Sequence, residues 1–137
     1  MTLKNEVCNF IKNQYNVTPE VLWAKYPNYL VFRNKQNQKW FAIIMNVTKN
    51  KLGLNGNEFV DILNVKCDNI ATKMFTEQKG ILPAYHMNKQ NWVSILLNGE
   101  CNKNTVFFMI EQSYLMIQKQ KDKKWIKKVY AHILDIH

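Results

Sequence analysis

Nine residues, Lys39-Trp40-Phe41-Ala42-Ile43-Ile44-Met45-Asn46-Val47, restrict the fold more than any other stretch of this chain. Aromatic and β-branched side chains follow one another with almost no polar interruption, the pattern of a strand largely buried on folding. Such a strand needs neighbours. Tyr29 to Arg33 is a second run of this kind, and the polar turn at 34–38 joins the two as a hairpin. The partly alternating run at 58–66 supplies a third antiparallel strand. Runs at 81–86 and 91–97 read as two more, separated by Met87-Asn88-Lys89-Gln90.

Helical signals flank these strands. Leu3, Val7, Phe10, Ile11 and Tyr15 recur at helical spacing and predict an amphipathic helix over 3–15. Thr18-Pro19-Glu20 reads as N-cap, first-turn proline and early acid, which predicts a short helix to about Lys25. Asp68 caps a helix over 69–78 that Gly80 stops. Val106, Ile110, Ser113, Tyr114 and Ile117 mark another over 103–118. Beyond it, Trp125, Val129 and Ile133 form one i, i+4 row, and Ile126, Tyr130 and Leu134 form another. Lys123, Lys124, Lys127 and Lys128 lie towards the opposite face, so 119–137 predicts a basic amphipathic helix. The pattern is α+β: an antiparallel sheet with helices packed on one face.

At 137 residues, 47% of them hydrophobic, the chain has room for one real core. Only 4 Gly and 3 Pro occur, too few for a long flexible linker. No run of about 18 apolar residues suggests a membrane span, and the first residues lack a secretory pattern. Cys8, Cys67 and Cys101 are widely spaced, without a CxxC pair. That spacing speaks for reduced thiols in a cytoplasmic protein and against a disulfide framework or zinc knuckle.

The formal net charge is +9. It is concentrated in two places. Residues 29–56 hold Arg33, Lys35, Lys39, Lys49 and Lys51 with no acid, and residues 119–137 hold six lysines against Asp122 and Asp135. An excess of this kind favours a polyanionic partner such as DNA. Arg33 is the only arginine. Lysine makes point-charge contacts and lacks the bidentate fork that reads bases, so backbone attraction is expected over sequence reading.

Several runs occur in an order that carries a family resemblance. They are Val31-Phe32-Arg33, Lys39-Trp40-Phe41-Ala42, Ile44-Met45-Asn46-Val47, Leu52-Gly53-Leu54, the stretch from Val60 to Asp68, Pro83-Ala84-Tyr85-His86-Met87-Asn88-Lys89, Trp92-Val93-Ser94 and Ser113-Tyr114. Together they resemble the MmcQ/YjbR family of small bacterial proteins over residues 1–118. The resemblance implies a CyaY-like curved antiparallel sheet with helices on one side, and DNA binding. Where many relatives carry a basic or histidine residue before the tryptophan, this chain has Gln90-Asn91. Residues 119–137 fall outside the family pattern and form an extension, which offers a surface for a protein partner or self-association.

Three constellations compete for chemistry. The basic residues Arg33, Lys35, Lys39, Lys49, Lys51 and Lys89, with Lys124 and Lys128 of the tail, are the nucleic-acid candidates. Tyr85, His86, Asn88 and Trp92, with Cys67, are the candidates for a small-ligand pocket; the same residues also read as a hairpin turn with Trp92 in the core. A Cys67–His86 pair is the sharpest enzymatic reading, with a thiol just ahead of a helix start, but Asp68 places a negative group beside it. Cys67, His86 and Asp61 could supply at most three metal ligands, and nothing in their spacing requires convergence. The clustered carboxylates that a hard cation needs are absent from the first helix, which carries only Glu6. No phosphate-cradling glycine loop is present. No cofactor is expected, and no catalytic constellation is legible.

Overall fold

The computed structural model describes residues 2–118. The expected basic tail helix over 119–137, with Lys124 and Lys128, lies outside the described residues. The architecture is α+β. Helix α1 (Leu3–Tyr15) is followed by strands β1 (Leu30–Arg33), β2 (Trp40–Thr48) and β3 (Phe59–Lys66). Helix α2 (Asn69–Phe75), strands β4 (Ile81–Pro83) and β5 (Trp92–Leu96), and helix α3 (Lys103–Ile117) complete it. The strands form one antiparallel sheet in the order β1-β2-β3-β5-β4.

Local chemistry starts each helix. The Thr2 hydroxyl accepts from the Asn5 amide (3.2 Å) at the start of α1. Asp68 does the same for Ile70 (2.9 Å) at α2, and Asn102 for Asn104 (2.8 Å) at α3. Each satisfies a backbone donor that has no partner within its helix. Gly80 does not end α2 directly, since the helix stops at Phe75. Its φ of +83° lets the chain pass close to Cys101, whose amide nitrogen would lie 2.8 Å from an added Cβ.

Period-two alternation divides the sheet between two cores. On one face, Val7 and Ile11 of α1, Phe75 of α2, and Val106 and Ile110 of α3 pack against the sheet through Phe41, Ile44, Leu63, Val65 and Ile95. On the other face lie Val31, Ile43, Met45, Ile62, Trp92 and Leu96, and no α-helix among the described residues covers them. Strand β2 is therefore buried on both sides, as its composition requires.

The helix expected from Thr18 to about Lys25 does not form. Glu20 instead makes an isolated antiparallel bridge with Val31, each amide donating to the other residue's carbonyl at 2.9 Å. Two turns at most could have formed, and Val21 and Leu22 remain exposed, so a helix here had no apolar stripe to bury. The bridge instead pairs polar groups on the otherwise open edge of β1. Strand β4 also ends earlier than expected, at Pro83, because side chains rather than a strand hold the backbone of Tyr85.

One hydroxyl joins the sheet to its helical layer. The β2–β3 pairing runs from Thr48↔Phe59 to Ala42↔Val65. One step beyond, the Ser113 hydroxyl of α3 donates to the Phe41 carbonyl (2.6 Å) and accepts from the Lys66 amide (2.9 Å). Ser113 is wholly buried. Ser113→Ala strands two backbone groups and is expected to destabilise the fold by about 1–3 kcal/mol. Denaturant unfolding of the variant beside the parent protein measures this, and an unchanged midpoint would contradict it.

Candidate functional site

Among the described residues, only loops cover the sheet face opposite the helices, and they leave a gap. A hollow of about 240 Å³ remains over β2, walled by Trp23, Tyr26, Tyr29 and Trp40, with Met45, His86 and Met87 completing it. Trp23 stands edge-on to both Tyr29 (6.2 Å between ring centres, 80°) and Trp40 (6.0 Å, 89°). Tyr26 stacks on Tyr29 at 4.7 Å and 10°. Trp23 and Tyr26 remain 36% and 43% exposed, so their rings present surface to solvent instead of closing a core. Among the described residues, no acidic side chain lines the hollow. Burial pushes the Tyr29 hydroxyl above its ordinary range, with Tyr85 and Tyr26 adding to the effect.

A buried polar pair positions the other side of the hollow. Asn64 of β3 and Ser94 of β5 are direct cross-strand partners and fully buried. The Ser94 hydroxyl donates to the Asn64 side-chain carbonyl and accepts from the Tyr85 amide (2.9 Å). The Asn64 side-chain amide donates to the Tyr85 carbonyl (3.0 Å). Both polar groups of the Tyr85 backbone are thereby pinned to the sheet. The next residue, His86, adopts a left-handed conformation with φ +59°. That conformation is costly for a side chain with a Cβ, and its presence at the rim of a hollow marks a constrained position. The imidazole lies 3.9 Å from the Tyr85 ring, centre to centre.

A second cavity, of about 450 Å³, adjoins the first through Tyr26 and Tyr29. Lys25 and Lys51 line it, with Asn28, Asn46, Thr48 and the 67% exposed ring of Phe59. Lys25 also lies 5.8 Å from the Tyr26 ring centre. Aromatic wall and cationic margin thus meet at one pair of tyrosines.

The residues expected from sequence divide sharply. Tyr85 and His86 belong to the site, His86 in the hollow and Tyr85 beside it. Trp92 is 9% exposed and packs in the core of this face, so it offers no stacking surface. Asn88 accepts from the Gln90 amide (2.8 Å) and shapes its own turn, leaving Lys89 exposed on it. Cys67 packs in the helix-side core, on the other side of the sheet from the hollow that His86 lines. The structure therefore does not assemble a Cys67–His86 pair. Asp61 accepts from the Asn46 side-chain amide (2.9 Å), and among the described residues no three of His, Cys, Asp and Glu converge on a metal position.

The basic hairpin is not a single patch. Lys35 and Lys39 flank its turn, whereas Lys49 and Lys51 follow the far end of β2, about 26 Å away at the rise of a strand. Arg33 lies 2.9 Å from the Glu20 carboxylate and 6.0 Å from the Trp40 ring centre. Its Nε–H does not aim along that short contact, so the pair is one of charge and not a hydrogen bond. Lys49 pairs with Glu58 at 3.0 Å and lowers that carboxyl below its usual range. Sequence reasoning missed Trp23, Tyr26, Tyr29 and Trp40. Four aromatics interleaved with Lys25, Arg33, Lys35 and Lys39 were the available signal.

All three thiols resist ionisation. Burial raises Cys67 to about 12, with the Asp68 carboxylate adding to it, and burial raises Cys101 to about 11. Cys8 is raised by the same cause. The folded state therefore holds these protons more tightly than the unfolded chain. Stability from this source is complete below about pH 9 and is lost as pH rises through about 11 and 12. Cys67→Ala should make the alkaline decline shallower, and the native thiol should label slowly with iodoacetamide at neutral pH. Rapid stoichiometric labelling of Cys67 in the folded protein would contradict the burial described.

Comparison with known proteins accords with this geometry. A protein from Pseudomonas syringae matches with a TM-score of 0.82 in its crystal structure, at 33% identity over 84% of this chain and 98% of the other. Its solution structure matches at 0.77, with 31% identity over 88% and 98% of the two chains. A Deinococcus radiodurans protein shares the fold at a TM-score of 0.66 and 18% identity, over 94% of this chain and 88% of the other. Among sequences, the uncharacterised protein YyaQ of Bacillus subtilis is 39% identical over 114 residues, which is 83% of this chain and 97% of YyaQ. The YjbR family model matches residues 12–116, and the chain belongs to the YjbR family.

Proposed function

We propose that this protein is a small non-enzymatic binding protein that engages nucleic acid weakly and without sequence preference, through the helix-free face of its sheet. One observation carries the reading: partly exposed aromatic rings walling an apolar hollow, with Lys25 and Lys51 lining the cavity beside it. Stacking surfaces beside a cationic track are what sequence-tolerant nucleic-acid binding uses, because every base has a π-face and every link a phosphate. Lys35 and Lys39 at the hairpin turn extend the positive margin beyond Trp40, and the exposed Lys89 adds to it. Arg33 and Lys49 contribute less, since Glu20 and Glu58 already answer their charge. Lys124 and Lys128 join this set as further phosphate contacts, and the tail is also the segment by which a protein partner would be recognised. The lysine-dominated charge supports backbone attraction over base reading. A cytoplasmic setting goes with this function, since the three cysteines are free thiols.

A titration with labelled single-stranded and duplex DNA at 50 and 200 mM salt tests the proposal. Engagement of about three phosphates predicts a loss of affinity of roughly tenfold or more between these conditions. Lys51→Ala combined with Lys39→Ala should weaken binding and flatten the salt dependence. Absence of binding at the lower salt would end the proposal.

A further inference from the structure

The two adjoining cavities differ in chemistry, and the difference names a ligand. The hollow bounded by Trp23, Tyr29 and Trp40 is apolar and ring-lined, with edge-on and parallel faces that suit a flat heteroaromatic group. At about 240 Å³ it falls below the roughly 300–1,000 Å³ of pockets for drug-sized molecules, on the scale of one ring system. The neighbouring cavity carries Lys25 and Lys51, two ammonium groups of the kind that meet phosphate as point charges. Tyr26 and Tyr29, stacked at 4.7 Å, line both compartments. A ligand crossing this wall has a flat ring at one end and an anion at the other.

We infer that the paired cavities form a seat for one unpaired nucleotide, with its base in the aromatic hollow and its phosphate beside Lys25 and Lys51. This deepens the nucleic-acid reading above and rests on it for the strand as the source of that nucleotide. A base paired and stacked within a duplex exposes only its edges and cannot present its face to Trp23 and Tyr29; an unpaired base can. The seat therefore selects single strands over duplex while remaining indifferent to which base enters.

Calorimetric and tryptophan-fluorescence titrations of the full chain test the inference with four probes. These are adenosine 5′-monophosphate, ribose 5-phosphate, a short single-stranded oligonucleotide, and a blunt duplex of the same length. The seat predicts binding of the monophosphate and the single strand, no competition by ribose 5-phosphate, and at least tenfold weaker binding of duplex. Trp23→Ala should weaken the single strand tenfold or more, whereas Trp23→Phe, which keeps a ring, should stay within a few-fold of the parent. The partly exposed position of Trp23 leaves the core intact, and an unchanged melting temperature verifies that. Binding of the single strand without the free monophosphate assigns the seat to strands. The reverse upholds the seat for free nucleotides and overturns the strand reading. Equal, salt-sensitive binding of single strand and duplex, unaffected by Trp23→Ala, would overturn the seat and leave the broader nucleic-acid reading standing. No binding of any probe at low salt would overturn both.

Discussion

Strand β2 is apolar on both faces, and the helices among the described residues cover only one of them. Everything distinctive about the molecule follows from how the second face is managed. A sheet face bearing Ile43, Met45 and Ile62 cannot be left in water without a large loss of hydrophobic stabilisation. The chain covers it with Trp92 from within the sheet, with the 84–87 segment from one side, and with the aromatic-rich stretch before β1 from the other. Loops cannot pack as continuously as a helix. The shortfall is the hollow, and its walls are aromatic because large flat rings cover the most surface per residue.

The Asn64–Ser94 pair determines the shape of that cover on the β3–β5 side. Two polar side chains buried at the centre of a sheet are tolerable only when their hydrogen bonds are completed. Here they complete one another and the backbone of Tyr85, so a potential liability becomes a fixed point. From that point the chain turns through the left-handed conformation of His86 and delivers the imidazole to the hollow. The fold is stable through its helix-side core, and its helix-free side is where polar and strained features gather. Such a division separates what maintains the structure from what is available for binding.

Much of the architecture was legible in the sequence because it rests on period and punctuation. The β2 run, the 34–38 turn, and the cap at Asp68 each act locally, and the structure retains them. The segment from Thr18 to about Lys25 reads as a helix because Thr18-Pro19-Glu20 carries a genuine helix-start signal, but it has no apolar stripe behind it. The competing interaction, a bridge from Glu20 to Val31, depends on a strand edge that sequence does not display. That error hid the site as well, since Trp23 appeared to belong to a short helix and Tyr26 to the turn that ends it, and neither to a wall. Trp92 and Asn88 were candidates by residue type alone. Trp92 lies on the hollow's side of the sheet but is packed into the core there, and Asn88 accepts within its own turn; the side of the sheet is what separates Cys67 from His86.

The account stands or falls on the helix-free sheet face being where a ligand meets this protein. Amide and indole chemical-shift mapping during titration with a short single-stranded oligonucleotide tests that directly. The predicted result is perturbation of the Trp23 and Trp40 indole N–H signals together with the amides around His86, Tyr26 and Lys51, while α1 and α3 remain still. Shifts confined to the helical layer, or to the Lys35–Lys39 turn without the aromatic hollow, would contradict it.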